Sequence, residues 1–399
     1  MSSPVLAHGD ELATVWHGDA LEVLRGMGDS TVHAVICDPP YGLAPLPAAK
    51  VADTVARWVT GERAFVPDGR GFMSTRWDRF VPPPALWDEV SRVLVPGGHL
   101  LCFAAPRTVD LMGLSVRLAG FELRDELLAW VFGKGMAKAV DVSELIDTEQ
   151  GNTRPVVGVD SKRARRLGAQ GGDYATDAGW NMSGRRAHVT APATEQSAAW
   201  AGWAAGLKPA HEPVLVARKP LDGTLAGNVL EHGAGALHID ATRIPFTSAR
   251  DAADNAGDDG AGRWPANVLA SHHPACTPHG CDPGCQVAEL AAQSADRRGR
   301  GDATRFIPTF RYAPKATAVE RPVVDGVTHP SVKPLSVIRW LVDLVAVPGM
   351  TVLDPFAGSG PVAEACTAAG VASVSIELDG RFVPLILRRL ERARGEVAA

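Results

Sequence analysis

Four consecutive residues, Asp38-Pro39-Pro40-Tyr41, follow the apolar run His33 to Cys37. The Asp38 carboxylate and the Pro39 carbonyl oxygen are both hydrogen-bond acceptors. The proline ring fixes their geometry and brings no N–H of its own. Two fixed acceptors can grip both hydrogens of an exocyclic amino group. That leaves the nitrogen lone pair out of plane and aimed at an electrophile. Tyr41 can stack on the ring that carries the amine. On its own, a four-residue match is explained as well by a Pro-Pro loop with a surface tyrosine.

A second stretch, Asp354-Pro355-Phe356-Ala357-Gly358-Ser359-Gly360, lies between a strand-like run and a helix-like run. Its glycines let backbone pass close to a ligand and expose N–H groups at a helix start. The next strand ends in Glu377, where an acid is placed to accept both hydroxyls of a ribose. The loop has neither the spacing of a dinucleotide fingerprint nor the Lys-Ser/Thr of a phosphate-binding loop. A nucleoside without a phosphate chain, such as S-adenosylmethionine, fits better than NAD or ATP. The alternative is a tight strand-to-helix turn that binds nothing.

The elements that must position these loops alternate between strand and helix. Val15 lies in a short strand, Asp19 can cap a helix over Ala20 to Arg25, and a buried strand runs His33 to Cys37. Two prolines end that strand abruptly, which leaves Asp38 and Tyr41 on a stiff loop at its carboxyl end. Residues 44–82 show no period and read as a loop with one short helix near Asp53 to Thr60. Helices follow over Pro83 to Leu94 and Arg107 to Leu118, with a buried strand from His99 and a β-rich segment from Phe121 to Phe132. After a long Gly/Asp/Ala-rich stretch that contains one strand-like run, His211 to Ala217, the alternation resumes. It continues with a helix over Leu335 to Val345, a strand over Thr351 to Leu353, a helix over Val362 to Ala369, a strand over Ala372 to Ile376 and a closing helix over Arg381 to Arg394. This is the pattern of an α/β fold, a parallel sheet covered on both faces. Three parts are expected: 1–132 and 321–399 as two halves of one sheet domain, and 133–320 as a loop-rich insert.

The chain has 399 residues and a formal net charge of -5. An acidic total argues weakly against a nucleic-acid partner. Between Ser161 and Lys219, however, nine basic residues (Lys162, Arg163, Arg165, Arg166, Arg185, Arg186, Lys208, Arg218, Lys219) face four acids. A polyanion responds to that local excess rather than to the total; a solvated loop with arginines is the alternative. No apolar run approaches a membrane span and no secretory leader is seen at the start. Cys37, Cys102 and Cys366 stand singly in apolar surroundings, which suits a reducing cytoplasm.

Taken together, Asp38-Pro39-Pro40-Tyr41 and the Phe356-x-Gly-x-Gly loop resemble the amino-methylating DNA methyltransferases. The catalytic loop comes first, the insert next and the cofactor loop last, which resembles the circularly permuted β class that methylates adenine N6 or cytosine N4. Gly18 to Leu24 resembles the family segment whose acid, here Asp19, lies near the cofactor adenine. His329-Pro330-Ser331-Val332-Lys333-Pro334 resembles its segment near the methionine end, which makes Lys333 a cofactor residue. Phe310 to Ala316 and Leu207 to Pro213 match further stretches. The resemblance implies a Rossmann-like methyltransferase sheet with a target-recognition insert, S-adenosylmethionine as methyl donor, and double-stranded DNA with a flipped base as substrate. Asp38 and Pro39 would orient the amine, Pro40 would stiffen the loop and Tyr41 would stack. Asp at the head of the loop leans to adenine. Cytosine N4, an RNA methyltransferase and an inactive DNA-binding protein are the alternatives. The resemblance leaves room for a homodimer and for a cognate restriction endonuclease.

Cys276-x4-Cys281-x3-Cys285, with His272, His273 and His279 nearby, has the chemistry to hold zinc. It lacks the paired Cys-x2-Cys of common zinc sites and a second pair, so the expectation is reduced loop cysteines and no metal.

Overall fold

The computed structural model of the protein describes residues 3–69, 71, 77–124, 127–132, 140–159, 188–246, 249–253, 262–273, 275–277, 279–295, 301–310 and 320–395. Its strands are β1 (Val5–Gly9), β2 (Ala13–His17), β3 (Val32–Cys37), β4 (Leu94–Phe103), β5 (Glu122–Leu123), β6 (Leu128–Phe132), β7 (Val156–Val159), β8 (His188–Thr190), β9 (His211–Arg218), β10 (Val268–Ser271), β11 (Thr309–Phe310), β12 (Thr351–Asp354) and β13 (Ala372–Glu377). The large sheet has the order β1-β2-β13-β12-β3-β4-β9-β6-β10-β11, with β5 also on β9. The run from β2 to β4 is all parallel. β9 is reversed against both β4 and β6.

Parallel strands need crossovers, and those crossovers cover both faces. The side chains of β3 divide accordingly. Ala34 and Ile36 join a core with the helix Leu335–Val345, whereas Val35 and Cys37 join one with the helices Ala20–Gly26 and Pro84–Val93. This is the two-residue alternation of a strand, and it makes Cys37 a core residue.

From β3 the chain moves to β4 on one side; from β12 it moves to β13 on the other. β3 and β12 are nonetheless paired neighbours, with Val352 opposite Ala34 and Leu353 opposite Val35. Their carboxyl ends therefore flank the point where the strand order reverses, the place where open α/β sheets bind ligands.

The structure departs from the sequence expectation in several elements. The strand expected from His99 starts earlier and takes in Pro96-Gly97-Gly98. The helix ends at Val93, β4 starts at Leu94, and the three residues are absorbed as a register irregularity between Val32 opposite Leu94 and Ala34 opposite His99. The helix expected near Asp53 to Thr60 starts earlier and spans Ala48–Val59. β9 falls on the strand-like run His211 to Ala217 but joins the large sheet, as do β10 and β11 from the stretch whose texture reads as irregular. β10 and β11 have four and two residues, too few to show a period.

By internal contacts the chain divides into one unit within 1–69, 77–134 and 211–399, and a second within 70–76 and 135–210. The second holds the β7–β8 hairpin and the helices Val142–Glu149 and Glu195–Ala199. Its buried Asp147 accepts hydrogen bonds from Arg154 Nη1 at 2.8 Å and from the Ala193 N–H at 3.0 Å.

The closing helix, Val383–Ala393, is tied to the helix Pro361–Ala368 by charge as well as by packing. Arg389 is fully buried and donates to Glu364, which also accepts from Arg392 at 2.6 and 2.8 Å. Burial lowers the Arg389 pKa, with Glu364 opposing it. Removing one partner of such a pair strands a buried charge. Glu364→Ala is therefore expected to lower stability by about 3–5 kcal/mol in urea unfolding; a loss below about 1 kcal/mol would show that Arg389 is compensated elsewhere.

Candidate active site

β3 is buried to Cys37, and the chain leaves it at Asp38. The loop is held by more than its prolines. Asp78, buried, accepts from the Tyr41 N–H at 2.8 Å and the Gly42 N–H at 2.9 Å, and Thr108 Oγ1 donates to the Tyr41 carbonyl at 2.6 Å. Gly42 has φ 64°, and a Cβ there would lie 2.8 Å from the Phe80 backbone. Only glycine fits such a position. Asp78 and Thr108 were invisible as site residues, because each is placed by a contact with a distant part of the chain.

The Asp38 carboxylate is the centre of a polar cluster. Tyr41 donates its hydroxyl to Oδ1 at 2.5 Å, and Lys333 Nζ donates to Oδ2 at 2.6 Å. Lys333 also donates to the Tyr41 hydroxyl at 3.0 Å and lies 3.4 Å from Glu212 Oε2. That Glu212 oxygen is buried, and among the described residues it is held by the ion pair with Lys333. The ammonium sits 5.4 Å from the Tyr41 ring centroid and 5.0 Å from that of Phe103, positions in which ring faces attract a cation. Burial acts to lower the Lys333 pKa, but Asp38 and Glu212 outweigh it and the net shift is upward. Burial, then the Asp38 and Glu212 charges, push the Tyr41 phenol well above its usual range, so it remains a neutral donor. A carboxylate has about four lone-pair sites. With one protein donor on each oxygen, Asp38 retains capacity for a further N–H.

The second loop is ordered by its own acids. Asp354, buried at the end of β12, accepts from the Phe356 N–H at 3.0 Å. Glu377, at the end of β13, accepts from the Gly358 N–H at 2.7 Å and the Asp379 N–H at 2.7 Å. Gly360 has φ 78°, and a Cβ there would lie 2.8 Å from Ile386 Cγ2. Pro355 and Ser359 are buried, and among the described residues Ser359 Oγ has no hydrogen-bond partner. Phe356 packs edge-on to Trp87 at 6.5 Å. The His329 ring covers the loop: a Cβ on Gly358 would lie 3.1 Å from it, and it stands edge-on to Phe382 at 4.5 Å. Burial pushes Glu377 up to about 7. Burial, with the Asp38 and Glu377 charges behind it, raises Asp354 well above the carboxylate range.

The sequence-predicted residues thus form two sets joined by the β3–β12 pairing. Asp38, Tyr41 and Lys333 form one; Asp354, Gly358 and Glu377 form the other. Pro39 is buried and Pro40 half-buried between Asp38 and Tyr41. Lys333, expected at the cofactor, has its ammonium on Asp38. Asp19 is the N-cap of its helix, accepting from the Leu21 and Glu22 N–H groups at 3.0 and 3.2 Å. Gly18 before it donates to the Glu377 carbonyl at 2.9 Å, which places this turn beside the end of β13. Glu212 and His329 lie in stretches the sequence singled out, but neither had a role assigned to it.

Of the basic residues between Ser161 and Lys219, Lys162, Arg163, Arg165, Arg166, Arg185 and Arg186 lie outside the described residues, as does 311–316 of the Phe310 to Ala316 match. Arg218 pairs with Glu122 at 2.7 Å and Lys219 donates to the Leu94 carbonyl at 2.6 Å, so both serve the large sheet. Among the described residues no helix is long and apolar enough to cross a membrane.

The family model of DNA methylases acting at N6 and N4 matches residues 32–388, from the first residue of β3 into the closing helix. No curated protein matches the chain. Among solved structures the chain is similar to TTHA0409, a candidate DNA modification methylase from Thermus thermophilus, at 17% identity over 96% of each chain with a TM-score of 0.41. It is similar to M1.HpyAVI at 12% identity over 95% of this chain and 98% of that one, with a TM-score of 0.42. It is also similar to the cytosine-N4-specific PvuII DNA methyltransferase at 12% identity over 98% and 93%, with a TM-score of 0.46. These likenesses are distant. On the family match, which spans most of its length, the chain belongs to the N6/N4 DNA methylase family.

Proposed function

We propose that this protein is a site-specific DNA methyltransferase that uses S-adenosylmethionine to methylate the N6 amino group of adenine. The observation that carries the reading is the Asp38 cluster at the end of β3, set beside the Asp354 to Gly360 loop at the end of β12.

The second loop suits a nucleoside without a phosphate chain. Glu377 offers a buried carboxylate to a diol, and the buried Ser359 hydroxyl awaits a partner. The helix after the loop begins with Pro361, which has no N–H for a phosphate. Burial holds Asp354 toward its neutral form and raises Glu377 to about 7, so the two acids offer hydrogen-bond partners to a nucleoside rather than a cradle for a phosphate chain. Bound there, S-adenosylmethionine supplies a methyl group on positively charged sulfur.

Asp38 and the Pro39 carbonyl accept the amine hydrogens and direct the nitrogen lone pair. The Asp38 charge stabilises the positive charge that develops on that nitrogen. Tyr41 offers its ring to the flipped base and its hydroxyl to Asp38. Lys333 is a positioning residue that fixes the carboxylate through a 2.6 Å hydrogen bond. No covalent enzyme intermediate is required, and the gain comes mainly from orientation. The amine is out of reach within a duplex, so the base must be extruded. We assign target recognition to residues 133–320, and the order of the two loops supports the permuted β class.

Asp38→Ala is expected to abolish methyl transfer while leaving S-adenosylmethionine binding within a few-fold; survival of more than a few per cent of the activity would remove Asp38 from the chemistry. Lys333→Met is expected to lower kcat more than about tenfold with little change in cofactor affinity; the reverse split would return Lys333 to the cofactor.

Glu377 sets a pH dependence. Ribose hydroxyls donate to its carboxylate, and a proton competes with them. Nucleoside affinity, measured by calorimetry, is expected to weaken as pH falls through about 7, by at most about tenfold per unit. Glu377→Gln should remove this dependence. The effect on stability has the opposite sign. The raised pKa favours the fold at low pH, below the ordinary value of 4.5, and that contribution is lost as pH rises through about 7.

The base is identified by methylating DNA with labelled cofactor and digesting it to nucleosides. Labelled N6-methyladenine is expected. N4-methylcytosine would overturn the choice of base, and label in RNA but not DNA would overturn the substrate class.

A further inference from the structure

The cysteines near the end of β10 are not a loose loop. β10 ends at Ser271, and His272 is the next residue. The backbones of Thr277 and Gly280 pair with each other, and Cys285 stands as the N-cap of the helix Gln286–Ser294. This path brings one nitrogen or sulfur atom from each of His272, Cys276, Cys281 and Cys285 to within 4.8 Å of all the others. His272 Nδ1 lies 3.4 Å from Cys281 Sγ and 3.4 Å from Cys285 Sγ. Zinc bound tetrahedrally at about 2.3 Å to sulfur and 2.0–2.1 Å to nitrogen holds such atoms about 3.5 Å apart.

The surroundings have the features of a metal shell. The His273 N–H points at Cys285 Sγ at 3.5 Å and the Asp282 N–H at Cys276 Sγ at 3.3 Å. Backbone donors of this kind stabilise thiolates and fix their direction. His272, Cys276 and Cys285 are buried, the two cysteines with Ala270, Val287 and Ile307, while Cys281 closes the site from the exposed side. Val287 is the one buried residue of the helix Gln286–Ser294. So small an apolar patch holds a segment poorly, and this is where small structures use a metal staple.

We propose that His272, Cys276, Cys281 and Cys285 bind one structural zinc ion that fastens the helix Gln286–Ser294 to the end of β10. Three thiolates and one imidazole fill a tetrahedral site, which leaves no open position for catalysis. The fourth ligand is an imidazole at a strand end, not a second pair of thiols, so the spacing of the cysteines alone does not reveal the site. His273 and His279 fall outside the set; His273 instead faces Asp282 at 3.5 Å.

The test uses the full chain, expressed and purified without added zinc or metal-affinity resin. Elemental analysis is expected to find about one zinc per chain, and a thiol-blocking mercurial should release it to a zinc-binding dye. Cobalt exchanged into the site should show tetrahedral ligand-field bands with thiolate charge transfer. Cys276→Ser with Cys285→Ser should lose the ion, while His273→Asn and His279→Asn should retain it. If the double cysteine variant does not fold, mercurial release and cobalt exchange on the unaltered chain decide the matter. Less than about a tenth of an equivalent of zinc, together with no thiolate–cobalt spectrum, would overturn the proposal. So would a disulfide between Cys276 and Cys285 in protein prepared without oxygen, or full zinc content in the double variant.

Discussion

The pairing of β12 with β3 is the constraint on which the site depends. A few backbone hydrogen bonds set Val352 beside Ala34 and Leu353 beside Val35, and so bring the ends of two strands far apart in the chain to one edge of the sheet. Each strand ends in an acid because the crevice at a strand-order reversal is where a ligand can be gripped without breaking the ladder. The same pairing crowds charge. Asp354 feels both Asp38 and Glu377, and burial has already made its ionised form costly. Burial and crowding together hold Asp354 toward its neutral form.

Lys333 answers that crowding at Asp38. It reaches the cluster from the segment just before the helix Leu335–Val345, is itself buried, and stays charged because Asp38 and Glu212 outweigh the cost of its burial. The lysine and the Tyr41 hydroxyl take one Asp38 oxygen each, which fixes the plane of the carboxylate before any substrate arrives. Glu212 enters from β9, the reversed strand between β4 and β6. Three separated stretches of chain thus hold one side chain still. Preorganisation of this kind fits a reaction whose catalysis is mainly positional.

Rigidity around the first loop has a second source in Asp78, which accepts from the backbone N–H groups of Tyr41 and Gly42. The prolines remove backbone freedom and donors; Asp78 supplies the acceptor that the remaining N–H groups need. The cysteine-rich turn after β10 uses a different solution to a similar problem, in a corner with too little apolar surface to order itself.

Much of this was legible in the sequence where the cause is local. The helix Leu335–Val345 carries its apolar residues at helical spacing, and the structure has it over those residues. β3 reads as an apolar run stopped by two prolines, and both loops announce themselves by residue types that local sterics restrict. Elements of two to four residues, β5, β10 and β11, have no period to read, and Pro96 to Gly98 act as an irregularity in a strand because β3 beside them supplies the ladder. Tertiary structure alone decided that Lys333 meets Asp38, that Asp78 pins the loop, and that His272 joins three cysteines. The first two are contacts between residues that chain order keeps far apart, and the third depends on how the chain folds after β10. The sequence by itself determined which groups with chemistry stand at strand ends, because propensity and turn geometry act over a few residues. Which of those groups face each other was decided by the strand order, because pairing across a sheet depends on the whole chain.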